Sequence, residues 1–143
     1  MEIYILTGHK ITMLNLHILQ MADYFFVLFH TCLILFNLFG WLWKPLQKWQ
    51  LLTISLTFAS WLGLGIWYGL GYCPLTDWHW DILRQMGETN LPNSYISYLF
   101  QRLLGLKLPD LWVDVLTVSM AILALAASIW VNFFQKRKGN SIA

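Results

Sequence analysis

Charge is what this sequence has least of. Asp, Glu, Lys and Arg make up 11% of its 143 residues, well under half of the roughly 25% usual in soluble globular domains. Water is therefore not expected to be its solvent. The formal net charge is +2 with scattered basic residues, which speaks against a nucleic-acid surface. The one dense cluster, Lys136-Arg137-Lys138, directly follows an apolar block, where a cytoplasmic anchor sits. Cysteine is scarce too. Cys32 and Cys73 permit one disulfide by arithmetic, but they are expected at different depths and are read as free thiols. The first twenty residues lack a basic segment, an apolar run and a small-residue cleavage site in sequence, so no removable signal peptide is expected. Met13 and Met21 are alternative starts. No repeat, low-complexity stretch or Ser/Gly-rich linker is present.

Apolar residues are what the chain does have, at 58% with nine Trp. They fall into three blocks, about residues 22–43, 51–72 and 111–134, each near the roughly 20 residues that a spanning helix needs. The expected architecture is all-α: a three-helix membrane bundle with two short amphipathic helices on the outer, periplasmic side. Residues 1–20 read as an N-terminal extension, 21–135 as one transmembrane domain and 136–143 as a basic tail. Lys44 and Lys48 in the first loop share a side with that tail. Counting Lys and Arg makes it the cytoplasmic side, which leaves the N-terminus and residues 73–109 outside. In the outer segment, Thr76 is expected to cap a helix stopped by Gly87, and Asn93 a second stopped by Gly105. Trp78, Ile82 and Met86 would line the first, and Tyr95, Leu99 and Leu103 the second. Both would lie on the membrane surface or fold over the bundle as a lid.

Within the first block, Asp23, His30, Asn37 and Lys44 recur every seven residues. Seven helical residues drift by only about 20°, so the four share one slowly turning stripe. Its length, about 31 Å, matches a bilayer's hydrocarbon core. Asp23 and Lys44 then mark the water boundaries. Because intramembrane polar groups are expensive, the stripe is expected to face inward. The facing groups would be Thr53, Thr57 and Ser60 with Gly63, Gly65, Gly69 and Gly71 on the second span, and Asp114, Thr117, Ala121, Ala124 and Ser128 on the third. Gly65 and Gly69 form a GxxxG packing signal, and no Gly-rich phosphate loop is present.

Two roles for the stripe stay open. One is interhelical glue. The other is a cleft at the outer end, built from Asp23, His30, Asn37, Cys73, Thr76, His79, Arg84 and Asp114, that handles a small ligand or protons. Haem needs two imidazoles at similar depth, and only His30 lies inside a span. Zinc at His30, His79, Asp23 and Cys73 lacks a close-spaced pair such as HxxxH or CxxC. A nucleophilic Cys73 needs His79 folded back beside it. No cofactor is expected.

Asp23 with His30, Gly40 late in the first span, and Cys73-Pro74-Leu75-Thr76 followed by Trp78 resemble the bacterial membrane-protein family numbered 2784 among the domains of unknown function. The similarity covers about residues 20–132. It implies a small inner-membrane protein and supplies no mechanism. The expected role is a non-enzymatic accessory or structural partner of a larger membrane assembly, in contact with the lipid bilayer and other membrane subunits but not nucleic acid. The alternative is a membrane enzyme or carrier working at the outward cleft around Asp23, His30, Cys73, His79 and Asp114.

Overall fold

The computed structural model describes residues 2–4 and 10–134. The basic tail expected at 136–143 lies outside them. Two three-residue strands, β1 (Glu2–Tyr4) and β2 (Lys10–Thr12), pair antiparallel with Ile3 opposite Ile11. The rest of the described chain is helical: α1 (Met13–Phe39), α2 (Gln47–Ala59), α3 (Gly65–Tyr68), α4 (Pro74–Gln85), α5 (Tyr95–Leu104) and α6 (Asp110–Ile129). A π-helical turn, Ser60–Leu64, joins α2 to α3, and a second, Trp130–Phe134, extends α6.

Three helical rods are long and apolar enough to cross a membrane: Leu14–Leu42, Gln47–Tyr68 and Asp110–Phe134. The first starts well before residue 22, because nothing between Met13 and Phe39 breaks a helix; the segment holds neither Gly nor Pro. It ends in a 3₁₀ turn at Gly40–Leu42, and Pro45 follows. Gly40 is there for contact: a Cβ would lie 2.9 Å from Cγ of Gln50, a fully buried side chain of α2. The second rod stops at Tyr68, short of the expected Tyr72. Gly69 and Gly71 take φ of 104° and 85°, which ends the helix and turns the chain back. The GxxxG reading is corrected accordingly. Gly69 lies outside the helix, and a Cβ on Gly65 would meet Leu70 of the same turn at 3.2 Å.

That turn sets the position of everything after it. The Ser60 hydroxyl donates to the Tyr72 carbonyl at 2.8 Å, so residue 72 has descended to the level of residue 60. α4 therefore starts low and climbs beside α1 instead of lying flat across the end of the bundle. It begins at Pro74 with Cys73 as N-cap, ahead of the expected Thr76, because Pro suits the first helical turn. Gly87 (φ 95°) and Gly105 (φ 69°) stop α4 and α5 where the sequence predicts. The cap of α5 is Ser94 in place of Asn93.

The principal buried apolar cluster lies between cap and rod. Trp80, Leu83, Tyr95, Tyr98 and Leu99 form it, and Val27 and Ile34 of α1 pack against it. The inward face of α4 thus runs through His79, Trp80 and Leu83, while Trp78, expected to line the apolar side of this helix, is 59% exposed. Leu103 likewise faces out. α6 turns Val113, Ala124 and Ser128 inward, and Thr117 and Ala121 are half-buried.

Candidate functional site

The stripe on α1 faces inward, with Asp23 and His30 buried and Asn37 half-buried, while Lys44, expected as its fourth member, lies beyond the helix end at Phe39 and is exposed. Its two halves meet different partners. In the lower half, Asn37 Nδ2 donates to Thr57 Oγ1 at 3.1 Å, and Thr53 Oγ1 donates to Asn37 Oδ1 at 2.8 Å. Gln50 Nε2 donates to the Asn37 carbonyl at 2.7 Å. This is an amide–hydroxyl clasp between neighbouring antiparallel rods.

The upper half meets the cap. His79 Nε2 lies 2.9 Å from Asp23 Oδ1, and His79 Nδ1 lies 2.8 Å from the Tyr95 hydroxyl. Arg102 pairs with Asp23 Oδ2, and the Tyr98 hydroxyl donates to Oδ1 at 3.4 Å. A carboxylate only accepts, so the His79 proton belongs on Nε2, and Nδ1 is left to accept from Tyr95. Asp23 is 2% exposed and His79 0%, so the relay is closed to water. Burial lowers the pKa of His79 against the opposing pull of Asp23, which keeps the ring neutral. Burial also raises Tyr95, and it pushes Tyr98 up to about 12 with Asp23 as the second cause, so both phenols remain donors.

Aromatic packing holds the relay in place. Phe26 stacks on the His79 ring at 5.4 Å and 11°, and Trp80 contacts the Tyr98 ring edge-to-face at 5.0 Å. His30 stacks on Tyr95 at 4.1 Å, and its Nδ1 is buried without a hydrogen-bond partner. The pairing has a register. His30 meets Tyr95 and Asp23 meets Arg102, so a step of seven up α1 matches a step of seven along α5 in the opposite direction. The charge on Arg102 and the phenols of Tyr95 and Tyr98 were the residues that sequence reasoning missed. They lay within a segment read as amphipathic, and the matching seven-residue step was the available signal.

Of the expected cleft, the structure brings together Asp23, His30 and His79. The others lie elsewhere. Arg84 pairs with Asp81 at 2.8 Å on the exposed side of α4. Asp114 is exposed on α6, about a third of a turn from inward-facing Val113, since adjacent helical residues differ by about 100°. Asn37 belongs to the lower clasp. Cys73 and Thr76 are half-buried near the foot of α4, and Cys73 is unbonded, as is exposed Cys32. Among the described residues, no group of three or more His, Cys, Asp or Glu is placed to hold a metal ion.

A groove of about 290 Å³ opens beside the relay. Its polar lining is Glu88, Asn90, Tyr98, Gln101 and Arg102, and its apolar lining is Leu83, Leu91 and Pro92. The Arg102 side chain is 37% exposed, so it reaches both buried Asp23 and this groove. Another surface is also uncovered. Ser55, Ala59 and Gly63 follow one another at intervals of four on the second rod, all exposed, and Gly63, expected to face the first span, points away from it: a Cβ there would meet nothing within 4 Å.

The model of the family described as Protein of Unknown function (DUF2784) matches residues 20–133. No curated protein and no solved structure matches the chain.

Proposed function

The chain belongs to the DUF2784 family, and from that premise we propose that it is a non-enzymatic accessory protein of the bacterial inner membrane, docking through its second rod to a helix of another membrane subunit. The positive charge of Lys44 and Lys48 in the opposite loop supports a periplasmic cap. The observation that carries this reading is the bare trough of Ser55, Ala59 and Gly63, flanked by the exposed side chains of Leu52, Leu56 and Leu62. In lipid, apolar surface alone does not drive helices together. Small residues at four-residue spacing do, because they let backbones approach closely. The polar groups that could have served chemistry are instead used internally: Asp23 accepts from three side chains, and His79 has no exposed surface.

The test is to replace Ala59 and Gly63 with Leu. These variants should fold and insert normally while losing the membrane protein that co-purifies with the wild type. Disulfide or maleimide cross-linking through Ser55→Cys should capture the same neighbour. Unchanged co-purification with no cross-link would sink the reading, and a Ser55→Cys product linking two copies of this chain would replace the foreign subunit with a homodimer.

A carrier or enzyme reading rests on one observation, the continuous Tyr95–His79–Asp23 hydrogen-bond chain. It requires His79→Gln to fold normally yet abolish a proton-dependent activity, since Gln bonds at similar size but cannot carry the proton.

A further inference from the structure

We infer that the groove between α4 and α5 binds the zwitterionic headgroup of an aminophospholipid, with the phosphate on Arg102 and the ammonium on Glu88. This rests on the rods crossing a membrane, but not on the docking of another subunit.

Height comes first. Asp23 stands about 24 Å along α1 from Phe39, and the 3₁₀ turn through Leu42 adds roughly 6 Å, together the thickness of a hydrocarbon core. Arg102 is paired with Asp23 and so stands at the cap-end boundary, where headgroups lie. Charge comes next. One edge of the Arg102 guanidinium is held by Asp23, which fixes its orientation, and the side chain still borders the groove. A guanidinium presents five donors in a planar fork suited to phosphate. Glu88 borders the same space, is exposed, and enters no salt bridge among the described residues. A purely anionic headgroup would meet repulsion there. A phosphate that carries its own ammonium satisfies both walls. Asn90 and Gln101 add neutral hydrogen-bonding groups, and Leu83, Leu91 and Pro92 offer an apolar side for the glycerol–acyl junction. The volume, about 290 Å³, is on the scale of a small ligand site.

Native mass spectrometry of the detergent-extracted protein tests this with phosphatidylethanolamine and phosphatidylglycerol at equal concentration. Phosphatidylethanolamine should be retained roughly five- to ten-fold more, as expected for one added charge-assisted contact. Glu88→Gln should erase that preference. This variant leaves the buried relay untouched, whereas Arg102→Gln would also release Asp23 and so cannot serve alone. Equal retention of the two lipids by the wild type, or a preference unchanged in Glu88→Gln, would overturn the inference. Inorganic phosphate and soluble phosphoethanolamine provide the other arm. Neither should displace the lipid at matched concentration, and displacement by either would make the ligand a free phosphate compound. Loss of lipid preference with co-purification intact would fault this site alone; the reverse would fault the docking surface alone.

Discussion

Asp23 and Asn37 stand on the same stripe of α1, two seven-residue steps apart, yet they are held by different means. Asn37 is neutral and is clasped by Thr53 and Thr57 of the adjoining rod, 16 and 20 residues along the chain. Asp23 is an acid, and its partners His79, Tyr98 and Arg102 lie 56, 75 and 79 residues away. A neutral amide needs one or two small groups and finds them on the nearest helix. A buried carboxylate needs several donors and a cation, because an uncompensated charge away from water is far more costly than an unpaired amide. Two further helices had to be brought alongside α1 to supply them.

This comparison is broken most severely by Asp23→Ala. That change leaves His79, Tyr98 and Arg102 without their common acceptor, and a loss of about 2–3 kcal/mol is expected, read as a lowered unfolding transition in detergent. The cap should loosen selectively, with amide exchange rising in α4 and α5 before the α1–α2 pair. Uniform loosening of all rods would show that the two halves are not separate units.

Tyr95→Phe comes next. It removes the donor to Nδ1 of fully buried His79 while keeping the ring that stacks on His30, so a cost of about 1–2 kcal/mol is expected. Ring-contact shifts on His30 should persist in NMR spectra, and their disappearance would mean that the hydroxyl, not the stacking, positions that ring.

Asn37→Leu is expected to cost only about 1 kcal/mol. Both threonine hydroxyls keep a backbone acceptor when Asn37 is lost, since Thr57 donates to the Thr53 carbonyl at 3.0 Å and Thr53 to that of Gln50 at 3.1 Å. A larger loss than for Asp23→Ala would invert the ranking of the two halves.

The smallest effect needs no substitution to appear. His79 faces Asp23, Tyr95, Tyr98 and Arg102 from the surrounding helices, and burial lowers its folded pKa below the ordinary 6.5. The unfolded chain therefore takes up this proton first as pH falls. The stability that comes from keeping the ring neutral is fully present above about pH 6.5 and declines below it. Between pH 7.5 and 6 the loss from this one group should stay under about 1 kcal/mol. Melting curves of the wild type and His79→Gln should converge as pH falls over that range, and parallel curves would remove His79 as the source.

Much of this was legible in the residues themselves. The three rods follow from apolar length, the stops at Gly87 and Gly105 from glycine's access to positive φ, and the inward stripe from a seven-residue recurrence of polar side chains. Asn37's partners were named among the small residues of the next span, because hairpin neighbours are set by a short loop. The far end of the second rod was misread, since four glycines in GLGIWYGLG look alike until φ shows that Gly69 and Gly71 leave the helix while Gly63 and Gly65 do not.

By itself, then, the amino-acid order determined which segments are apolar rods, which face of the first is polar and where the cap helices stop. These are properties of 3.6-residue periodicity and single-residue backbone preference, and both act over a few residues. Only the tertiary structure decided that the chain descends to the level of Ser60 before α4 climbs, and that α5 runs antiparallel to α1 with Arg102 at Asp23 and Tyr95 at His30. The glycine turn after Tyr68 controls that descent. A change of two backbone angles there moves Arg102 by the length of a helix, so no local pattern around Arg102 carries the information that it will meet Asp23.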